Sequence, residues 1–245
     1  MARVLIPLPD RDFDPTESAV PWHVLTEAGH EIVFATERGA VAACDPLLIG
    51  GVMFGGLGAK PLPKGFYADM AASLEMNAPI TWDATDPAAY DALLLPGGHA
   101  QGMRQMLESA VLQEKIATFA ASGKPIAAIC HGVLALARAK DPSTGKSVLH
   151  RRRTTCLPGY MEKVAYYLTA WKHGRYYRTY DAYVEEEVVA ALDSPSQFER
   201  GPITLIKHGG ANDDRGAFVV EDGNYVSARW PGDAFLFAKK LLARL

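Results

Sequence analysis

The chain has 245 residues, 49% of them hydrophobic and 22% charged, with a net charge of −3. That balance suits a globular chain able to bury one full core, read as a single domain over 1–245. It excludes nucleic acid or an anionic membrane as the main partner, since both leave a strongly basic composition. Nothing approaches the roughly 18 apolar residues of a membrane span, and the chain starts on a strand rather than on a secretion leader. Cys44, Cys130 and Cys156 are an odd number in a chain that needs no stapling, which fits a reducing, cytoplasmic setting.

In chain order, Arg3 to Leu8 reads as a strand. Thr16 to Ala28, closed by Gly29, reads as a helix with Thr16 as N-cap, and Glu31 to Thr36 as the next strand. From Cys44 to Gly65 the rhythm breaks: Gly50-Gly51, Gly55-Gly56, Gly58, Pro61 and Pro63 predict an irregular lid or insertion, about 44–80 in all. No lysine-serine or lysine-threonine pair follows these glycines, so they do not form a phosphate loop. Order returns with Asp91 to Leu95, a helix from about Gln101 to Ser122, and a strand over Ile126 to Ile129 that turns at Cys130 into a helix over Val133 to Ala139. This alternation predicts a mostly parallel sheet with helices on both faces.

A second insertion, about 157–215, follows Arg151-Arg152-Arg153, which read as a charged surface strand or loop or as an anion contact. Its aromatic segment, Tyr160 to Tyr183, is read as core or subunit contacts, or as a pocket wall beside the catalytic turn. Near the end, residues 216–229 predict a hairpin with Asp222-Gly223 in a tight primed turn, and Asp233 to Leu242 a final helix.

A free cysteine usually serves as a small buried hydrophobe. Cys130 stands apart because it sits where an apolar strand meets a helix start, a place that favours thiolate. A second turn, Leu95-Pro96-Gly97-Gly98-His99, lies about thirty residues upstream. In an open α/β sheet, turns at the carboxyl ends of neighbouring strands converge.

Asp91-Ala-Leu-Leu-Leu-Pro-Gly-Gly-His99 followed by Ala-Ile-Cys130-His131-Gly132, with the early Thr16-Glu17-Ser18, resembles the ThiJ/PfpI superfamily, and within it the branch of glutathione-independent glyoxalase III and chaperone-like proteins. The resemblance implies a flavodoxin-like α/β three-layer sandwich, usually dimeric, so a homodimer is expected. It implies Cys130 as nucleophile toward a 2-oxoaldehyde such as methylglyoxal and Glu17 as the proton shuttle, with His131 as an assisting base. Amides at Gly98 and His131 are the implied oxyanion donors, with Gly97 and His99 beside the substrate. No metal or organic cofactor is implied. Relatives orient the histidine with an acid after the following strand. Here Cys156-Leu-Pro-Gly-Tyr-Met-Glu162 offers Glu162 in that role, while the first acidic slot falls on Gly159. Glutamine hydrolysis is excluded, because no His-x-Glu pair stands near the chain end: residues there read Ser227-Ala-Arg229-Trp230-Pro231, and His208 precedes Gly209-Gly210. A non-catalytic stress role, as holding chaperone or redox sensor, and hydrolysis of a small amide or peptide remain as alternatives.

Overall fold

The computed structural model describes residues 1–53, 57–204 and 206–245. Among these the strands are β1 (Arg3–Pro7), β2 (Arg11–Phe13), β3 (Glu31–Thr36), β4 (Ala43–Cys44), β5 (Ile80–Thr81), β6 (Ala92–Leu95), β7 (Ile126–Ile129), β8 (Val219–Asp222) and β9 (Tyr225–Ala228). The helices are α1 (Pro15–Glu27), α2 (Pro46–Gly50), α3 (Pro61–Ala72), α4 (Leu74–Asn77), α5 (Arg104–Glu108), α6 (Ala110–Ala121), α7 (Gly132–Arg138), α8 (Gly159–His173), α9 (Val184–Ala191) and α10 (Ala234–Leu242). Among the described residues no helix is long and apolar enough to cross a membrane.

The main sheet runs β5-β3-β1-β6-β7-β9-β8, parallel except for the β8–β9 hairpin. Its centre, β3-β1-β6-β7-β9, has the flavodoxin-like order, with the chain reversing direction across the sheet between β1 and β6. Every residue of β6, β7 and β9 is buried, as expected for strands covered on both faces. Helices α1 and α10 pack together on one face, while α5, α6 and α9 pack around α7 on the other. One continuous apolar core runs from Val4 to Leu241.

Several boundaries differ from expectation for local reasons. Asp14, not Thr16, caps α1: its carboxylate accepts from the Thr16 and Glu17 amides, and Pro15 opens the first turn. The helix expected over 101–122 breaks at Ser109, whose extended backbone ends α5 and whose hydroxyl caps α6. The stretch expected to be irregular holds α2 and the start of α3, and Gly55-Gly56 lies outside the described residues. In the hairpin, Asp222 pairs with Tyr225, so the turn is Gly223-Asn224, with Gly223 at φ 60°. Arg151 ends a surface turn, and Arg152 and Arg153 follow it without regular structure. Arg152 donates to the Asp222 carbonyl and the Arg153 amide to the Asp222 carboxylate, which ties this stretch to the hairpin, while the Arg153 side chain pairs with Glu199.

The end of β9 is held from below. Arg229, 1% exposed, makes a two-pronged ion pair with the fully buried Asp233, both contacts at 2.9 Å, and donates to the Pro202 carbonyl. Removing one partner leaves a buried charge alone, so Arg229→Ala should cost roughly 3–5 kcal/mol in urea unfolding. Arg153→Ala, which breaks a surface pair, should cost about 1 kcal/mol or less.

Candidate active site

The site forms where β1, β6 and β7 end. Cys130 turns the chain from β7 into α7 with φ 57°, a left-handed conformation that a side-chain-bearing residue adopts only under constraint. Its amide donates to the Ala228 carbonyl, so β9 holds one side of the elbow. Gly132 makes the turn possible, because a Cβ there would fall on the carbonyl oxygen of Leu95 at the end of β6. Gly97 does the same from the facing strand. A Cβ on it would lie 2.7 Å from Glu17 Oε2 and 2.8 Å from Cys130 Cβ. The two turns read from the sequence therefore converge.

Glu17, in the first turn of α1, is fully buried beside this elbow, and its Oε2 accepts the Gly97 amide at 3.0 Å. The Gly97 carbonyl in turn accepts the Asp14 amide, so Gly97 locks α1 onto the end of β6. Burial, and then the nearby Asp14 carboxylate, push the Glu17 carboxyl well above its ordinary range; the Cys130 thiol and the Gly97 amide act in the other direction. This is the direction needed by a group that carries a proton at neutral pH.

The thiol departs from expectation. Strand-edge and helix-start placement predicted a thiolate, yet Cys130 is only 4% exposed. Burial, and then the Glu17 and Asp14 carboxylates, raise its pKa well above the ordinary thiol value, opposed by the His131 amide. Desolvation outweighs the short α7 dipole here. Reaction thus needs a base. His131 is fully buried and places Nδ1 3.5 Å from Cys130 Sγ. Burial and then His99 keep it well below the usual histidine pKa, so it is neutral.

Of the expected oxyanion donors, the His131 amide faces the Cys130 sulfur, and Gly98 packs against Asp12 and Met103, where a Cβ would not fit. His99 sits with its ring 5.2 Å from that of His131, its pKa pushed down to about 4 by burial and Arg178. Glu162, on the first turn of α8, accepts the Val184 amide with Oε2 and turns Oε1 toward Arg178 Nη1 at 3.6 Å and His99 Nε2 at 3.9 Å. The ligand-type atoms of His99, His131 and Glu162 lie within 4.8 Å of one another, a set that could hold a transition metal. Against that use, Arg178 sets a positive charge at the carboxylate, and the His131 Nε2 contacts the Thr179 hydroxyl at 3.1 Å.

The aromatic segment supplies the expected wall beside the turn, and it does so through contacts with the first insertion. Tyr177 donates to Asp45 Oδ2 at 2.8 Å, and Tyr176 reaches both Asp45 and Asp12. The aromatic segment therefore divides: Tyr176 and Tyr177 face inward over His99, while Tyr167 and Trp171 lie on the exposed side of α8. Asp14 had a legible signal, an Asp-Pro-Thr-Glu start to a helix. Asp45 shows the same Asp-Pro helix start, as the cap of α2, but nothing local points to its tyrosine partners, and Thr179 has no local signal.

Two buried carboxyls contribute to the pH response, with the raised Glu17 acting in the same direction and the lowered His99 and His131 in the opposite one. Asp14 rises from 3.8 to about 7 and Glu162 from 4.5 to about 7, both mainly through burial. The folded protein keeps these protons where the unfolded chain releases them. The stability they contribute is therefore complete below the ordinary values and is lost as pH rises through about 7. Asp14→Asn keeps a capping oxygen but does not titrate. From pH 4.5 to 7.5, roughly bracketing this window, the wild-type urea midpoint should fall relative to that of the variant.

Comparison with known proteins agrees with this architecture. A ThiJ/PfpI family-like model matches residues 8–202. A deglycase of Pyrococcus abyssi is 27% identical, covering 99% of each chain. The deglycase PfpI of Pyrococcus furiosus is 25% identical, covering 96% of this chain and 94% of its own. The crystal structure of glyoxalase III from Candida albicans superposes with a TM-score of 0.71 at 20% identity, over 100% of this chain and 97% of that one, a likeness of fold. With most of its length matched by the family model, and the elbow cysteine built as described, the chain belongs to the ThiJ/PfpI family.

Proposed function

We propose that this protein is a cysteine-dependent enzyme of the glyoxalase III and deglycase type, converting 2-oxoaldehydes such as methylglyoxal to 2-hydroxy acids without glutathione. The observation that carries the reading is the joint burial of the Cys130 thiol, a raised Glu17 carboxyl and a neutral His131 at one elbow. The archaeal deglycases, similar over nearly the whole chain, support it.

The chemistry balances within the substrate. The thiol proton passes to His131 Nδ1 as sulfur adds to the aldehyde carbon. Glu17 protonates the new oxygen, giving a hemithioacetal. The resulting carboxylate removes the hydrogen of that carbon and returns it to the neighbouring carbonyl carbon, while the hydroxyl proton moves to the second oxygen. The first carbon is thereby oxidised to a thioester and the second reduced to an alcohol. Water, giving a proton to the Glu17 carboxylate, attacks the thioester, and the His131 imidazolium returns its proton to the departing sulfur, so that the 2-hydroxy acid leaves and the thiol, the neutral imidazole and the protonated Glu17 are restored. Burial raises the Glu17 carboxyl and keeps His131 neutral, the protonation states from which this sequence of transfers starts.

A specific observation favours a second reading. Tyr167, Leu168 and Trp171 are exposed along α8, a surface able to hold unfolded chains. The two separate in one experiment: purified protein is incubated with methylglyoxal, without glutathione, and lactate is followed. Multiple turnovers should appear, vanish in Cys130→Ser and fall by about 10²-fold or more in Glu17→Gln. Aldehyde loss without lactate, or lactate unaffected by Cys130→Ser, would sink the proposal. Suppression of client aggregation that survives Cys130→Ser would favour the holding role.

A further inference from the structure

The hydroxyl of Thr179 lies 2.7 Å from the carbonyl oxygen of His99 and 3.1 Å from His131 Nε2. A carbonyl only accepts, so the one hydroxyl proton of Thr179 points at His99. Toward His131 the hydroxyl oxygen can then only accept, and His131 Nε2 must carry a hydrogen. A neutral imidazole protonated at Nε2 has its lone pair on Nδ1, and Nδ1 is the nitrogen facing Cys130 Sγ at 3.5 Å. Thr179 is 2% exposed, so water does not compete for these bonds.

The acid expected in this role makes no hydrogen bond to His131: its Oε1, buried without a hydrogen-bond partner among the described residues, lies within 4.8 Å of the histidine nitrogen but does not reach it as the Thr179 hydroxyl does. Glu162 accepts the Val184 amide and faces Arg178 and His99. We infer that Thr179 is the positioning residue of this site: its hydroxyl, anchored on the His99 carbonyl, holds His131 as the Nε2–H tautomer and so makes Nδ1 the base for Cys130. The inference rests on the proposed use of His131 as base, but its test does not depend on turnover of any aldehyde.

The test is alkylation of Cys130 by iodoacetamide, followed on the Cys130 peptide by mass spectrometry, together with nitrogen-15 histidine NMR of the folded protein. His131 should show the Nε2–H signature. Thr179→Val, similar in shape but unable to accept or donate, should slow alkylation by about 10²-fold, and Thr179→Ser should retain the wild-type rate. An Nδ1–H signature, equal losses in the Val and Ser variants, or a greater loss in Glu162→Gln than in Thr179→Val would overturn the inference. Should Thr179→Val fail to fold, the wild-type tautomer and the Thr179→Ser rate still decide. Absence of lactate alongside the expected alkylation pattern would retire the glyoxalase reading and leave this one standing.

Discussion

Everything at this site depends on how closely two strand ends approach. Gly97 after β6 and Gly132 after the elbow meet with no room for a Cβ on either. That closeness lets one backbone amide reach Glu17, one backbone carbonyl reach Asp14, and the elbow force Cys130 to a positive φ. Without the contact α1 would lose its anchor to β6, and the carboxyl would not face the thiol. The constraint is one of volume before it is one of chemistry.

Packing so tight imposes an electrostatic cost that shapes the reactivity. Glu17, Asp14, Asp233 and Glu162 are all taken out of water, and burial is the largest influence on each, in every case toward retaining a proton. Asp233 is offset by Arg229, and Glu162 in part by Arg178. Among the described residues neither Asp14 nor Glu17 has a cation beside it; Asp14 keeps two amides, and Glu17 one amide and a thiol. The carboxyl left least compensated is thus the one next to the nucleophile, which is where a transferable proton is useful.

Much of this was legible beforehand, for identifiable reasons. The strands over Glu31–Thr36 and Ile126–Ile129 were read at their observed bounds, because each is a short apolar run closed by turn residues. The convergence of Gly97 and Cys130 followed from parallel topology. The break at Ser109 escaped notice because apolar spacing continues through it. The thiol's burial is not legible in the sequence, because placement on an elbow says nothing about how deeply neighbours cover it. The contacts that bring Thr179 and Asp45 to the site are out of reach of any local pattern. Thr179 meets His131 from 48 positions away, and Tyr177 meets Asp45 across 132; both contacts depend on loop paths that periodicity does not encode.

The bonds from Tyr176 and Tyr177 to Asp45 carry a consequence for how the two insertions behave. The first insertion contributes α2, capped by that same Asp45, while the second contributes the tyrosines and, two residues on, Thr179. Val52, Ala100 and Tyr177 form a small apolar cluster of their own, apart from the main core. The cover is therefore a miniature folding unit built from both insertions at once. Loosening either half removes a partner of the other, and with it the hold on the Tyr177 ring that packs against His99.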